Sequence, residues 1–326
     1  MSEFDLISRL QRIICITPQR ETAQCVVGIG DDGAVLNLPS DRDLVVCTDT
    51  LVSGVHFPVS TGPAAIGHKA LAVNLSDLAA MGAKPAWFFM ALTLPSENSA
   101  WLDSFASGMG ELAVAAQVEL AGGDVTAGPL SITITALGLI EKGRALLRSG
   151  AVEGDLVVVS GTPGAAAYAL SILNKGENPT VADLSALEFP VPRLELGRAL
   201  RGYATACIDI SDGLAADLGH IIEQSGVGAV VDPGKLPCPA SLESLMREER
   251  WPLQLAGGDD YELCFTVPAG TENALSKLAE DCKVKLTVIG EITRNTGLVL
   301  KTIDGVLYEP GMKGYRHFDC QDMENL

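Results

Sequence analysis

Six short stretches of the sequence place aspartates at the ends of apolar segments. They lie at residues 28–32, 47–49, 76–77, 122–124, 209–213 and 257–260. A single Asp-Gly pair is usually a turn, because aspartate bonds to its own backbone and glycine accepts a positive φ. Ordinary turns do not need so many carboxylates, and carboxylate and hydroxyl oxygens suit a hard cation, Mg²⁺ before Ca²⁺. Because Mg²⁺ usually binds together with substrate phosphates, the pattern predicts a metal-dependent enzyme that acts on phosphates.

The stretch at residues 28–33 also has the spacing of a dinucleotide-binding fingerprint. Its three glycines match G-x-G-x-x-G, and Asp49 follows about twenty residues later. That fingerprint needs a helix N-terminus after the glycines, whereas residues 34–39 are short, partly alternating and closed by proline, which is typical of a strand. Asp31 and Asp32 would also face a pyrophosphate unless a cation lay between. We therefore interpret the stretch as a metal–phosphate loop in which either aspartate is the ligand.

The composition excludes several other classes of protein. The 326 residues carry a formal charge of −18 and no block of basic residues, which disfavours nucleic acid and anionic membranes as partners. The eight cysteines form no C-x-x-C pair, the four histidines never approach H-E-x-x-H, and no G-x-S-x-G or Walker motif occurs. An acidic N-terminus and the lack of an apolar run of about 20 residues predict a cytoplasmic protein.

Hydrophobic periodicity predicts alternating helices and strands in two domains, residues 1–142 and 143–326. Helices are expected near residues 4–14, 63–82, 99–118, 165–173, 214–224 and 271–281. Strands are expected near residues 34–38, 43–50, 86–94, 120–126, 131–137, 155–160, 204–208, 263–267, 284–289 and 297–300. Residues 179–192 are expected to be a loop or a short insertion.

Three candidate residues have alternative explanations. Asp77 interrupts an apolar helix, where an unpaired charge is costly, so it either caps a local group or binds a cation. His56 lies in a loop and is as easily a surface or hydrogen-bonded histidine as a ligand. Ser211 is a predicted N-cap, and a helix start is an anion site, so the neighbouring Asp209 and Asp212 again indicate a metal.

Together, these motifs resemble the thiamine-monophosphate kinase family. The resemblance is carried by GIGDD at 28–32, CTDTLV at 47–52, KALAVNLSDLAAMGA at 69–83, GGD at 122–124, DISDG at 209–213 and GGDDYEL at 257–263. The broader superfamily includes aminoimidazole ribonucleotide synthetase. The resemblance implies its two-domain α/β (α+β) fold, with an N-terminal ATP- and magnesium-binding domain whose sheet pairs across a homodimer. The C-terminal α/β domain would complete the active site.

The resemblance also implies a role for each motif. Several magnesium ions would be held by Asp32, Cys47 through its main chain, Thr48, Asp49, Asp77, Asp124, Asp209 and Asp212. ATP would contact Gly123, Asp124, Arg148 and Ser211, and thiamine monophosphate would contact His56, Asp259, Asp260 and Tyr315. The implied reaction is in-line transfer of the ATP γ-phosphoryl group to thiamine monophosphate. No general base is assigned, because the acceptor phosphate is already ionised near neutral pH.

Two other functions stay open at this point. One is an ATP-dependent ligase or synthetase of the same superfamily, which would release ADP and free phosphate with a different acceptor. The other is a non-enzymatic sensor that binds Mg-ATP without turnover.

Overall fold

The structure is a computed structural model that describes residues 3–14, 23–309 and 314. Contacts among them divide the chain into two compact units. The first comprises residues 1–145 and 188–201, and the second comprises residues 146–187 and 202–326. No helix in the described part of the chain is both long enough and apolar enough to cross a membrane.

Nine elements before residue 145 belong to the first unit. They are α1 (Glu3–Ile14), β1 (Gln24–Val27), β2 (Val35–Asn37), β3 (Arg42–Val52), α2 (Pro63–Ala80), β4 (Lys84–Leu94), α3 (Ser99–Ala116), β5 (Glu119–Ala127) and β6 (Ser131–Glu141). All three predicted helices of this region form, and the segment after the opening glycines is a strand, as predicted.

The remaining elements follow residue 155. They are β7 (Leu156–Ser160), α4 (Ala165–Asn174), α5 (Val181–Glu188), α6 (Leu194–Leu200), β8 (Ala206–Asp209), α7 (Leu214–Ser225), β9 (Gly228–Val231), α8 (Arg247–Ala256), β10 (Leu263–Val267), α9 (Glu272–Cys282), β11 (Leu286–Thr293) and β12 (Gly297–Leu300). Helix α6 lies within the first unit. The six strands form one sheet in the order β12-β9-β11-β7-β10-β8.

The first unit is built on a four-stranded sheet in the order β3-β6-β4-β5. Helix α2 packs against this sheet and against α3, so most of its residues are buried and apolar residues occur on all of its sides. Glycines bring α2 and α3 together: a Cβ atom at Gly67 would lie 2.1 Å from the carbonyl oxygen of Phe105. Residues of β1 and β2 pack with the buried Trp87 and Leu137.

The prediction of a loop at residues 179–192 was wrong, because this segment contains α5. The sequence also gave no prediction of α6, β9 or α8. Helix α5 has only eight residues, and its apolar side chains do not lie on one face. Helix α8 contains Pro252, a residue that normally marks the end of a helix.

Candidate active site

A cavity of about 580 Å³ in the first unit is lined by apolar residues, glycines and three aspartates. Helix α1, residues 28–34 and strands β4 and β5 form its walls. The lining includes Asp32, Gly123 and Asp124, three predicted site residues from two separate motifs. The structure therefore brings together the first and fourth acidic stretches of the sequence.

The two aspartates of the opening loop have different environments. The backbone N–H of Asp32 donates to Oδ1 of Asp31 over 2.9 Å, so Asp31 supports the turn of the loop itself. Gly30 precedes them with φ +115°, a conformation that other residues rarely adopt. Both aspartates are exposed, and the carboxylate of Asp32 accepts no hydrogen bond from any described residue. This difference favours Asp32 over Asp31 as the predicted ligand.

Gly123 brings the backbone of β5 close to that of β4 beside the cavity. It has φ +153°, and a Cβ atom there would lie 2.0 Å from the carbonyl oxygen of Met90. The next residue, Asp124, is exposed and pairs with Ala91 of β4. Only glycine fits the backbone that presents the Asp124 carboxylate.

A second group of predicted residues forms where β3 packs against α2. The Cys47 thiol donates to the carbonyl oxygen of Asn74 over 3.3 Å, and the N–H of Asp49 donates to Oδ1 of Asn74 over 3.1 Å. Burial, with Asp77 and Asp49 nearby, raises the pKa of the Cys47 thiol well above its ordinary value. Cys47, Asp49 and Asp77 are thus neighbours, and the thiol stays protonated.

Asn74 is a member of this group that the sequence-based site did not include. Its side chain is fully buried, and its Nδ2 donates to the carbonyl oxygen of Ala70 over 3.2 Å. The sequence does indicate a special role for Asn74, because an amide side chain in the middle of an apolar helix needs hydrogen-bond partners.

The side chain of Thr48 lies on the other face of β3 from Asp49, since successive strand residues point to opposite faces. Its hydroxyl is 2.9 Å from that of Thr135 on β6, and Thr48 is exposed. The structure therefore does not group the Thr48 hydroxyl with the Asp49 carboxylate.

His56 is held by the end of β3. The N–H of Val52 donates to its Nδ1 over 3.0 Å, so the neutral ring carries its proton on Nε2. The ammonium group of the buried Lys69 donates to the carbonyl oxygen of His56 over 3.4 Å. The histidine is hydrogen-bonded, as one of the two sequence interpretations expected.

In the second unit, the turn between β8 and α7 carries the fifth acidic stretch. Three consecutive backbone N–H groups, those of Ser211, Asp212 and Gly213, donate to Oδ2 of Asp217 over 3.0, 3.1 and 3.1 Å. Asp217 is 2% exposed, and burial, with Asp209 and Asp212 nearby, raises its pKa to about 8. Asp217 was not among the predicted site residues, although a carboxylate in the first turns of an apolar helix is a usable signal in the sequence.

The prediction that Ser211 is the N-cap of this helix was wrong. Gly213 occupies the N-cap position, and no side chain caps the helix there. The backbone N–H groups that could bind an anion at this helix start instead donate hydrogen bonds to Asp217.

The sixth acidic stretch lies beside the fifth. The N–H of Asp259 donates to the carbonyl oxygen of Ser211 over 2.9 Å, and the N–H of Tyr261 donates to that of Ile210 over 2.8 Å. Asp259 has φ +67°, and its Oδ1 accepts a hydrogen bond from the Tyr261 hydroxyl over 3.0 Å. The structure thus groups Asp259 with Ser211.

Asp260 has a different environment from its neighbour Asp259. Its Oδ1 accepts a hydrogen bond from the N–H of Gly164 over 2.9 Å, and its Oδ2 is buried without a hydrogen-bond partner among the described residues. Burial raises its pKa well above the ordinary range, although the Gly164 bond acts in the opposite direction. Asp260 is therefore directed into the second unit, which favours Asp259 as the residue that contacts substrate.

The structure gives few contacts for two predicted site residues, Arg148 and Tyr315. Arg148 is exposed, and its carbonyl oxygen accepts from the Ser225 hydroxyl over 3.4 Å. Tyr315 lies outside the described residues, but Gly314 packs against the β8–α7 turn, where its Cβ would be 2.6 Å from the carbonyl oxygen of Asp212.

The structure contains no preformed metal cage in its described part: no three side chains of His, Cys, Asp or Glu are grouped closely enough to hold an ion alone. The acidic side chains instead form pairs and small groups within each unit. Such groups suit a cation that takes its other ligands from water and phosphate, as Mg²⁺ usually does.

Comparison with known proteins gives the same family for both parts of the chain. Residues 30–140 match the N-terminal domain of the AIR synthase related proteins, and residues 152–303 match the C-terminal domain. The thiamine-monophosphate kinase of Escherichia coli K12 is 45% identical over 302 residues, which is 90% of this chain and 92% of that protein.

Solved structures agree with the sequence relatives. The crystal structure of thiamine-monophosphate kinase from Stenotrophomonas maltophilia K279a is 45% identical with a TM-score of 0.85, and the match covers 94% of this chain and 98% of that one. AaThiL, solved in complex with AMPPCP and TMP, is 31% identical with a TM-score of 0.76, and 97% of each chain is covered. The chain therefore belongs to the thiamine-monophosphate kinase family of AIR synthase related proteins.

Proposed function

We propose that this protein transfers the γ-phosphoryl group of ATP to the phosphate of thiamine monophosphate, giving thiamine diphosphate and ADP. The observation that carries the proposal is the match to AaThiL, whose complex with AMPPCP and TMP pairs an ATP analogue with a thiamine phosphate. The match covers 97% of this chain, so it includes both units and all of the acidic stretches.

The cavity in the first unit is the proposed site for the phosphates of ATP. Asp32 and Asp124 line this cavity, and Gly123 lets strand β5 approach β4 closely beside Asp124. Carboxylates repel phosphate unless a cation lies between, so we propose Mg²⁺ ions held by Asp32, Asp49, Asp77 and Asp124 in this unit and by Asp209 and Asp212 in the other. Cys47, through its main chain, and Thr48 would supply further oxygens. Bound Mg²⁺ would neutralise the phosphate charge that the few basic side chains leave uncompensated.

The remaining residues would bind and orient the two substrates. His56 carries its proton on Nε2 and can donate it in a hydrogen bond to an anionic group of thiamine monophosphate. Asp259, Asp260 and Tyr315 are the proposed thiamine-side residues, with Asp259 preferred over Asp260 because Oδ2 of Asp260 is buried in the unit. Arg148 and Ser211 would contact ATP. Since the acceptor phosphate is already ionised, these residues act by positioning rather than by removing a proton.

We propose that the chain acts as a homodimer in the cytoplasm. Leu44 and Val46 lie on the face of β3 away from α2 and are 39% and 55% exposed, which a second copy of the same sheet would cover. The cytoplasmic location follows from the need for ATP.

The test is one incubation of the protein with ATP, Mg²⁺ and thiamine monophosphate, with the products resolved by charge. The proposal expects thiamine diphosphate and ADP in equal amounts, and no product when Mg²⁺ is removed by a chelator. Asp49→Asn and Asp124→Asn should each lower the rate by about 100-fold or more, since each removes one ligand charge next to the transferred group.

Asp43→Asn is the matched control. Asp43 is an exposed carboxylate on the same strand as Asp49, and among the described residues it accepts only the N–H of Gly143, over 3.0 Å. This variant should keep the wild-type rate. Release of ADP and free phosphate without thiamine diphosphate would refute the proposal in favour of another reaction of the superfamily, and binding without turnover would refute enzymatic function.

A further inference from the structure

Asp217 is a buried residue of the second unit that has no role in the site described above. Oδ2 of Asp217 accepts hydrogen bonds from three consecutive backbone N–H groups, at 3.0 to 3.1 Å. These three residues make up the whole turn between Ile210 and the start of α7. A single buried carboxylate therefore fixes the conformation of that turn.

The same turn carries two residues of the proposed ATP and magnesium site, Ser211 and Asp212. The N–H of each donates to Asp217, and the carbonyl oxygen of Ser211 accepts from Asp259. The carboxylate of Asp212 accepts no hydrogen bond from any described residue. All three N–H groups of the turn are thus engaged, while its acidic side chain is available for another partner.

Neighbouring backbone leaves the turn little room to adopt another path. A Cβ atom at Gly213 would lie 2.9 Å from the carbonyl carbon of Ala256, and one at Gly258 would lie 2.3 Å from the carbonyl oxygen of Ser211. These contacts confine the turn from outside, and Asp217 confines it from within. Replacing Asp217 by alanine would leave three adjacent backbone N–H groups without their acceptor, which favours a different conformation of the turn.

We propose that Asp217 is a positioning residue of the kinase reaction, which holds the 211–213 turn so that Asp212 and Ser211 meet magnesium and nucleotide in one fixed arrangement. Asp217 does not itself contact either group; it acts through the backbone. The proposal rests on the proposed function for the identity of the ligands, but its structural part concerns only the turn.

The first test measures the turn directly, without metal or nucleotide. Amide hydrogen exchange of residues 211–213 should be slow in the wild type and at least tenfold faster in Asp217→Ala. In Asp217→Asn the amide oxygen still accepts hydrogen bonds, so exchange should stay close to that of the wild type. Equal exchange in the wild type and Asp217→Ala would overturn the proposal.

The second test measures binding and turnover. Calorimetric titration with AMPPCP and Mg²⁺ should show an affinity about 10–100-fold weaker in Asp217→Ala, the range typical when the residue that orients a metal ligand is removed. The Mg²⁺ concentration for half-maximal rate should rise with it, while the KM for thiamine monophosphate changes less than twofold. Asp217→Asn should restore most of both losses; failure to do so would show that hydrogen bonding to the turn is not its role.

Asp155→Ala is the matched control for a merely structural effect. Asp155 is 3% exposed in the same unit, and its Oδ2 accepts from the N–H of Val152 over 3.0 Å and from the Thr205 hydroxyl over 2.7 Å. This variant should lower the melting temperature yet keep the wild-type Mg²⁺ dependence. An equal change of Mg²⁺ dependence in both variants would overturn the proposal.

The outcomes separate this proposal from the proposed function. A wild-type protein that makes no thiamine diphosphate refutes the function, whereas the exchange and calorimetric measurements still decide the role of Asp217. If Asp217→Ala does not fold, Asp217→Asn supplies the decision, because wild-type exchange and Mg²⁺ dependence in that variant support the proposal and their loss refutes it.

Discussion

Replacing Gly123 by alanine should damage the proposed nucleotide cavity more than any other single-methyl change in its lining. The new Cβ would lie 2.0 Å from the carbonyl oxygen of Met90 and 3.0 Å from its nitrogen. Both atoms belong to the neighbouring strand β4, so they cannot rotate away as a side chain would. Strands β4 and β5 would have to separate by about 1.4 Å, because a normal contact of this kind is about 3.4 Å or longer.

The free energy of unfolding should fall by about 2–6 kcal/mol. Forcing a methyl group into packed structure costs about 1–3 kcal/mol, and holding a non-glycine residue at φ +153° costs about 1–3 kcal/mol more. For a unit of this size, the change corresponds to a melting temperature lower by roughly 5–15 °C.

Gly33→Ala is the control, since Gly33 lines the same cavity but its Cβ would have no atom within 4 Å. Differential scanning calorimetry of both variants gives the stability, and titration with AMPPCP and Mg²⁺ gives the affinity. Gly123→Ala should be destabilised and bind at least tenfold more weakly, whereas Gly33→Ala should match the wild type in stability. If Gly123→Ala melts within about 1 °C of the wild type and binds equally well, the steric reasoning is refuted.

Two further predictions concern Asp260, in the sixth acidic stretch, and the glycine contacts. Because the pKa of Asp260 is higher in the folded than in the unfolded protein, its contribution is most favourable below about pH 4 and declines as the pH rises toward the folded value. Asp260→Asn, which keeps an acceptor for Gly164, should therefore gain melting temperature relative to the wild type as the pH is raised from 4 to 8; a constant difference would contradict this. Gly197→Ala should lower the free energy of unfolding of the first unit by about 1–3 kcal/mol in urea denaturation, since its Cβ would lie 1.9 Å from the carbonyl oxygen of Ala79. Gly219→Ala in α7 is the comparison, because a Cβ there would meet no described atom outside its own helix within 4 Å. It should be neutral or stabilising by up to about 1 kcal/mol in the same measurement.

Long elements with a clear period were predictable from the sequence, and short or irregular ones were not. Helices α2 and α3 carry end signals such as Pro63 and Asn98, whose side chain accepts from the N–H of Trp101 over 3.1 Å. Helix α6 has no side chain that caps its first turn. Its seven residues are instead stabilised as a helix by packing against α2. The helix therefore depends on a contact between residues distant in the sequence, which local sequence patterns do not predict.

The same distinction holds for the candidate site. The family resemblance implied that Asp32 and Asp124 share a site, and both line one cavity. The motifs did not predict the faces of individual side chains, such as the Thr48 hydroxyl bonded to Thr135. Nor did they predict Asp217, because the number of amides that reach a carboxylate depends on a turn conformation rather than on spacing.

The path of residues 188–201 has a consequence for dividing the chain into fragments. The chain passes between the two units three times, after residues 145, 187 and 201, so one cut near residue 145 does not release a complete first unit. An N-terminal fragment ending there would lack Gly197, which packs on Ala79, and Arg201, which pairs with Glu141. Supplying residues 188–201 as a separate peptide should restore the missing contacts, so fragment complementation is available for this protein where simple truncation is not.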